Sequence, residues 1–334
     1  MKPGVYITFD VECSMGGAWG EADLKPVPPE RAVMGRYGDK EYGLPFITDI
    51  LLKNGLAGTF FVEAFMAEQG YPGKGEAICR YLLDRSQDVQ LHIHPCHTYY
   101  DLMLKGCEYI SSDMMDELPA EQQHKLLEEG AGRIERWTGR PAVAFRSGNM
   151  SASEDLLKQV SAVGIKLDSS YGLSFVGGPC RFSKDELYNG SRWYGDVLEL
   201  GLSGFSLPWI PGLSRAKPLD LVGISFEECR RAIGKICDAG ADAVVILHSF
   251  SLFKVRNMQY DGGRPNRIVA RRFSRLCKWL KDHREQYPTY TFSKLAGAIA
   301  DGDYTANAVD PCRLSGGPAV VRKAVQVINN LYWV

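Results

Sequence analysis

Residues 88–97, DVQLHIHPCH, carry three of the six histidines of this 334-residue chain at the end of a short apolar run. They are either a surface accident or the mouth of a metal site. Side chains two apart on a strand share a face, so His92 and His94 point the same way. Pro95 lacks an N–H and restricts φ, which ends the strand and turns the chain aside. The surrounding segments set the context. GVYITFDVE at 4–12 reads as a first strand, and 42–64 as a helix ending near Gly55 followed by a strand at 58–63. A helix at 75–86 leads into the quoted stretch. Beyond it come a helix at 119–139, a strand at 142–148, a helix at 153–164 and a strand at 165–171. Strands at 196–203 and 242–250 follow, the second after a helix at 226–240, and 290–300 reads as a last strand and helix. Strands spaced by helices of this length predict a parallel sheet with covering helices. Six or seven such units favour a barrel, complete or irregular, over an open sheet.

In parallel α/β folds the carboxyl ends of the strands converge on one face, where sites are built. Those ends here deliver Asp10 and Glu12, His92 and His94, Arg146, Asp168 with Ser169 and Ser170, and His248. Randomly placed charge would fall mostly on helices and loops, so the concentration points to an active site. Asp10 and Glu12 share a face, as the two histidines do. One carboxylate with two imidazoles suits Zn²⁺ or a similar divalent ion and leaves positions open for water and substrate. The second carboxylate is then placed to take a proton from metal-bound water. His248 can protonate a leaving group. Arg146 can orient a carboxylate, and Asp168 can hold the arginine or restrain a histidine. Together the groups suit hydrolysis of an amide or ester. Singly, each has a plainer explanation: Asp-x-Glu as solvated charge, Arg146 as an ion-pair partner, LDSSY as a cap or turn, His248 as a core histidine. Cys13 and Cys96 lie close by and read best as buried thiols. It is their joint occurrence, in order and all at strand ends, that favours chemistry.

Composition narrows the partners. A net charge of -1 and a pI near 6.6 give no polyanion signal, which argues against nucleic acid. The basic stretch at 268–284 has apolar residues at helical spacing and reads as the wet side of an amphipathic helix. Nine cysteines without a CxxC pair argue against a disulfide framework or zinc knuckle and fit a reducing compartment. No apolar run approaches a membrane span. The N-terminus shows no signal-peptide pattern, so the expected location is cytoplasmic. The turn-rich 301–317 and the amphipathic 318–334 form a C-terminal extension, for packing or subunit contact.

TFDVE, DVQLHIHP, FRSGNMSAS, GIKLDSSY and ILHSF, in that order, resemble the motifs of the polysaccharide deacetylase superfamily, carbohydrate esterase family four. The resemblance spans roughly 4–297. It implies a distorted (β/α)₇ barrel over residues 1–297 with the extension at 298–334, and a divalent-metal-dependent hydrolase that removes acyl groups, most often acetyl, from amino sugars. The ion implied is Zn²⁺, with Co²⁺, Ni²⁺ or Mn²⁺ as alternatives. Two positions depart from the pattern. Val11 replaces the family's ligating aspartate, so Glu12 takes that role and Asp10 remains as base. The His-x-x-x-His spacing is shortened, so His92 and His94 become the ligands, with His97 left over as a substrate-facing group or alternative ligand. Tyr99 and Tyr100 fall where the family provides an oxyanion-binding amide. Tyr99 and Tyr171, with Trp19, Tyr100, Trp193, Trp209 and Phe250, are candidates to stack on a sugar ring or to build core. Two alternatives stay open: a deformylase or ureide-type C–N hydrolase, which keeps the site and changes the substrate, and an inactive barrel that only binds saccharide, which the altered first two motifs make possible.

Overall fold

A computed structural model describes the chain except residues 19–22, 67–70, 109, 186, 209–215, 318–321 and 323–334. Trp19, Trp209 and most of the expected C-terminal helix therefore lie outside the described residues. Seven strands build the central sheet: β1 (Val5–Val11), β2 (Thr59–Glu63), β3 (Asp88–Ile93), β4 (Ala144–Ser147), β5 (Leu167–Asp168), β6 (Val197–Leu200) and β7 (Ala243–His248). They pair in parallel in the order β7-β1-β2-β3-β4-β5-β6.

The sheet curls until its two ends meet, but they meet irregularly. Just past β6, Ser203 N donates to Val244 O at 3.2 Å, and Val244 N donates to Ser203 Oγ at 2.9 Å. Leu219 bridges the rest, its N donating to Ser203 O and its O accepting from Ile246 N. The result is a distorted (β/α)₇ barrel. Helices α1 (Leu44–Lys53), α2 (Lys74–Leu83), α3 (Cys96–Leu104), α4 (Ala120–Thr138), α5 (Glu154–Ala162) and α6 (Phe226–Asp238) fill the connections. Helices α7 (Arg267–Asp282) and α8 (Phe292–Ala300) follow β7. The β5–β6 connection is the exception. It holds the strand Asn189–Tyr194, which runs antiparallel to β6, and this is one source of the distortion.

Alternation with period two sorts each strand into two faces. Val5, Ile7, Phe9 and Val11 of β1 join the core under the helices, as do Val245 and Leu247 of β7. Tyr6, Phe61, Ala144, Leu167, Leu198, Val244 and Ile246 form a second apolar cluster that fills the barrel floor. Above that floor the inward positions turn polar, which gives the site its layer.

Three local outcomes differ from the sequence expectations. The strand expected at 165–171 is cut to Leu167–Asp168, because Asp168 Oδ1 accepts from Ser170 N at 2.8 Å and closes a turn. Pro95 does end β3, but it also starts α3, since proline suits the first turn of a helix. The expected boundary at 297/298 falls inside α8. Of the extension, Ala308–Val309 pairs with Asn189–Gly190, and Cys312–Arg313 with Phe205–Ser206. Among the described residues, no helix is long and apolar enough to cross a membrane.

Candidate metal centre

The inward polar layer gathers the expected ligands from two strands that are not adjacent, β1 and β3, with β2 between them. Glu12 Oε2 lies 2.6 Å from His94 Nε2 and 3.2 Å from His92 Nε2. The three ligand atoms stand within 4.8 Å of one another, close enough to share one ion. His92 is buried and its Nδ1 donates to Arg146 O at 2.7 Å. His94 Nδ1 donates to Asp113 Oδ2 at 2.8 Å. Each imidazole is thus anchored by Nδ1, which leaves Nε2 aimed at Glu12, the arrangement that orients metal-binding histidines. The donor set fits a divalent cation such as zinc.

Electrostatics agree with the geometry. Burial alone would raise the Glu12 carboxyl, but attraction to His94 and hydrogen bonds from both imidazoles bring it well below the usual carboxylate range. Burial would depress His94, yet Glu12 and Asp113 push it well above the ordinary imidazole value. His92 is raised too, burial being outweighed by Asp10 and Glu12. Glu12 and Asp113 both favour their ionised forms and draw positive charge onto the imidazoles between them, a demand that a cation would also satisfy. Binding it would displace protons from the imidazoles.

Asp10 sits beside this cluster and is almost fully buried. Arg146 Nη1 donates to Asp10 Oδ1 at 2.6 Å, and the guanidinium also donates to Thr8 Oγ1, Ser169 Oγ and Ser169 O. Its plane lies over the Phe61 ring, 4.2 Å from the centroid. His248 stands across from both carboxylates, with Nε2 4.0 Å from Asp10 Oδ2 and 3.9 Å from Glu12 Oε1. Its side chain is 31% exposed, while Glu12 and His94 are near 12% and Asp10 is at 2%. His248 therefore faces whatever enters, and Phe250 stacks against its ring.

The expectations for Asp168, His97, Tyr99 and Tyr171 need correcting. Leu167 belongs to the barrel floor, so Asp168 faces the other side of the sheet and does not hold Arg146; Ser169, one residue on, faces inward and does. His97 lies in the first turn of α3, is 1% exposed, and stands outside the ligand cluster with its ring 6.4 Å from that of His94. It is neither substrate-facing nor a ligand here. Tyr99 is buried and borders a groove of about 640 Å³ between α3 and α4, lined by Phe65, Leu102, Leu126 and Arg133. Tyr171 stacks on Tyr188 at 4.3 Å and its hydroxyl accepts from Tyr188 N, so it is a packing residue.

Sequence reasoning missed two carboxylates. Asp113, from the loop between α3 and α4, fixes His94 and also accepts from Cys96 N and Asn149 Nδ2. Glu63, at the inward end of β2, accepts from Phe65 N and from His94 N. Burial pushes Glu63 up to about 7 against the pull of the two histidines. Glu63 was within reach of the strand-end rule; Asp113 lies in an irregular loop and gave no periodic signal.

No protein-family profile and no curated protein sequence matches the chain. Solved structures do. A protein from Mycobacterium smegmatis, described as a candidate polysaccharide deacetylase, is 16% identical with a TM-score of 0.51, covering 93% of this chain and 94% of that one. A family 4 carbohydrate esterase from Streptomyces lividans, in complex with acetate, is 13% identical with a TM-score of 0.45 over 92% and 98% of the two chains. A pseudoenzyme of the same family from Bacillus anthracis is 13% identical, with a TM-score of 0.45 over 88% and 65%. At 16% identity the likeness to the M. smegmatis protein is one of fold. The chain has the polysaccharide deacetylase type of distorted barrel.

Proposed function

We propose that this chain is a divalent-metal-dependent hydrolase that removes an N-acyl group, acetyl foremost, from an amino sugar or saccharide. The observation that carries the proposal is the convergence of Glu12, His92 and His94 on one point, beside a separately anchored Asp10 and opposite His248. Glu12, His92 and His94 would hold the cation. When bound, it supplies Lewis acidity, which can bring the pKa of coordinated water down to roughly 7 and polarise a carbonyl. The protein's own groups supply the rest. Arg146 occupies Asp10 Oδ1 and fixes that carboxylate's direction, leaving Oδ2 on the His248 side to take a proton. His248, at the open side, is placed to return a proton to the departing amine. Phe250 supports that imidazole and offers a flat apolar surface beside it. The M. smegmatis structure supports the fold on which this chemistry is drawn.

Metal analysis with a hydrolysis screen tests the proposal. Purified protein should retain about one divalent ion, lose it in Glu12→Ala and His92→Ala, and release acid from N-acetylated or N-formylated saccharides. Asp10→Asn should keep the ion and lose roughly 10²–10⁴ in kcat, the contribution expected of a general base. Acetate release would identify a deacetylase and formate a deformylase. Metal-free protein that still binds glycans would instead favour an inactive saccharide-binding barrel.

A further inference from the structure

Behind Arg146, on the outer face of the sheet, lies a pair of carboxyls that the chemistry above does not use. Asp168 and Glu199 are partners in the β5–β6 register, and both are fully buried. Glu199 Oε1 accepts from Tyr171 N at 3.1 Å. Its Oε2 is buried with no hydrogen-bond donor and lies beside the Asp168 carboxyl. Two buried acceptors bond to each other only when one carries a proton, and two adjacent buried carboxylates cannot both ionise. Burial and the Asp168 charge push Glu199 well above the carboxylate range, and Asp168, though raised by burial as well, has two donors of its own, so the proton belongs on the Glu199 side. Asp168 is then free to accept from Ser170 N at 2.8 Å and Ser170 Oγ at 3.0 Å. Ser170 Oγ in turn accepts from Ser147 N at 2.9 Å. The turn so fixed presents Ser169, whose carbonyl and hydroxyl accept from Arg146 Nε and Nη2, and Arg146 holds Asp10.

We infer that Glu199 is a positioning residue for Asp10, acting through Asp168, the Ser169–Ser170 turn and Arg146; its effect on turnover rests on the hydrolase proposal above. Glutamine preserves the required chemistry, because its amide donates to Asp168 and its carbonyl accepts from Tyr171 N. Leucine preserves volume and removes both.

Wild type, Glu199→Gln and Glu199→Leu separate the possibilities by three readings. Infrared difference spectra at neutral pH, wild type minus each variant, should show a protonated-carboxyl C=O band, a subtraction that removes any contribution from Glu63, which burial pushes up to about 7. In ¹⁵N-arginine-labelled protein, the Nε–H of Arg146 should exchange slowly in wild type and Glu199→Gln, and at least tenfold faster in Glu199→Leu. With a hydrolysable substrate, Glu199→Leu should lose at least tenfold in kcat with KM changed less than about threefold and metal content unchanged, and Glu199→Gln should restore it. Absence of the infrared band overturns the inference, as does equal Arg146 exchange in all three proteins. If wild type hydrolyses nothing, the hydrolase proposal fails on its own, and the infrared and exchange readings still decide whether Glu199 is the neutral support of Arg146. If Glu199→Leu does not fold, the infrared band and the Glu199→Gln exchange rate carry the decision.

Discussion

A Cβ added at Gly148 would lie 2.5 Å from His94 Nδ1 and 2.6 Å from its Cε1, so the ring of this proposed ligand rests directly on the backbone that follows β4. The next residue, Asn149, adopts a left-handed φ of 56° and donates to Asp113, the carboxylate that orients the same ring. Two loops thus set the angle of one imidazole. Gly148→Ala should weaken divalent-metal affinity at least tenfold, because the ring must move and the Asp113 bond with it. Asp113→Ala should cost about 10–100-fold, the usual price of an outer ligand partner. Competition with a chelator of known affinity measures both, and unchanged affinity in Asp113→Ala would show that the loop does not position His94. This device was hardly legible in the sequence. Asp10, Glu12, His92, His94, Arg146 and His248 announced themselves by falling at strand ends. Asp113 lies 19 residues from the ring it holds, in a segment without periodicity.

Strands and helices obey the period rules closely enough that most were readable, and the exceptions have identifiable causes. In β1 and β3 the alternation continues unbroken through the site, so the shared faces of Asp10 with Glu12 and of His92 with His94 follow from spacing alone. In β5 it does not help, because a strand of two residues gives no run long enough to show which face Asp168 takes. The arginine's partner was therefore assigned one residue early. Helix α3 escaped notice because HTYYDLML has no clean apolar stripe. Helix α6 shows the opposite case, with a capping box in which Ser225 Oγ accepts from Glu228 N while the Glu228 side chain accepts from Ser225 N. Ser225→Ala should lower unfolding stability by about 1 kcal/mol, measured by urea denaturation, without altering metal affinity. A larger loss, or a change in metal binding, would mean that the cap also supports the β6–β7 connection.

At the level of the whole barrel, folding traps a neutral imidazole. Burial, helped by repulsion from His94, pulls His97 down to about 4, against about 6.5 for an unfolded histidine. The unfolded chain therefore binds more protons between those values. This contribution is complete above pH 6.5 and is lost as pH falls towards 4, by roughly 3 kcal/mol in total. Unfolding free energies from pH 7 to 4, in chelator so that metal linkage is excluded, should fall more steeply for wild type than for His97→Phe. Parallel slopes would show that His97 titrates normally. The parallel layout and its polar rim were legible, since both follow from alternation repeated along the chain. The irregular closure was not, because the hydrogen bonds that complete it come from loop residues Ser203 and Leu219, whose partners no local pattern encodes. Six of the barrel's joints are regular ladders, and the seventh is a few stitches. A cask strains first at its poorest stave. Here the loose joint lies between β6 and β7, so β7, which carries His248, is laddered on one flank only, to β1, while Glu12, His92 and His94 sit at the ends of strands laddered on both.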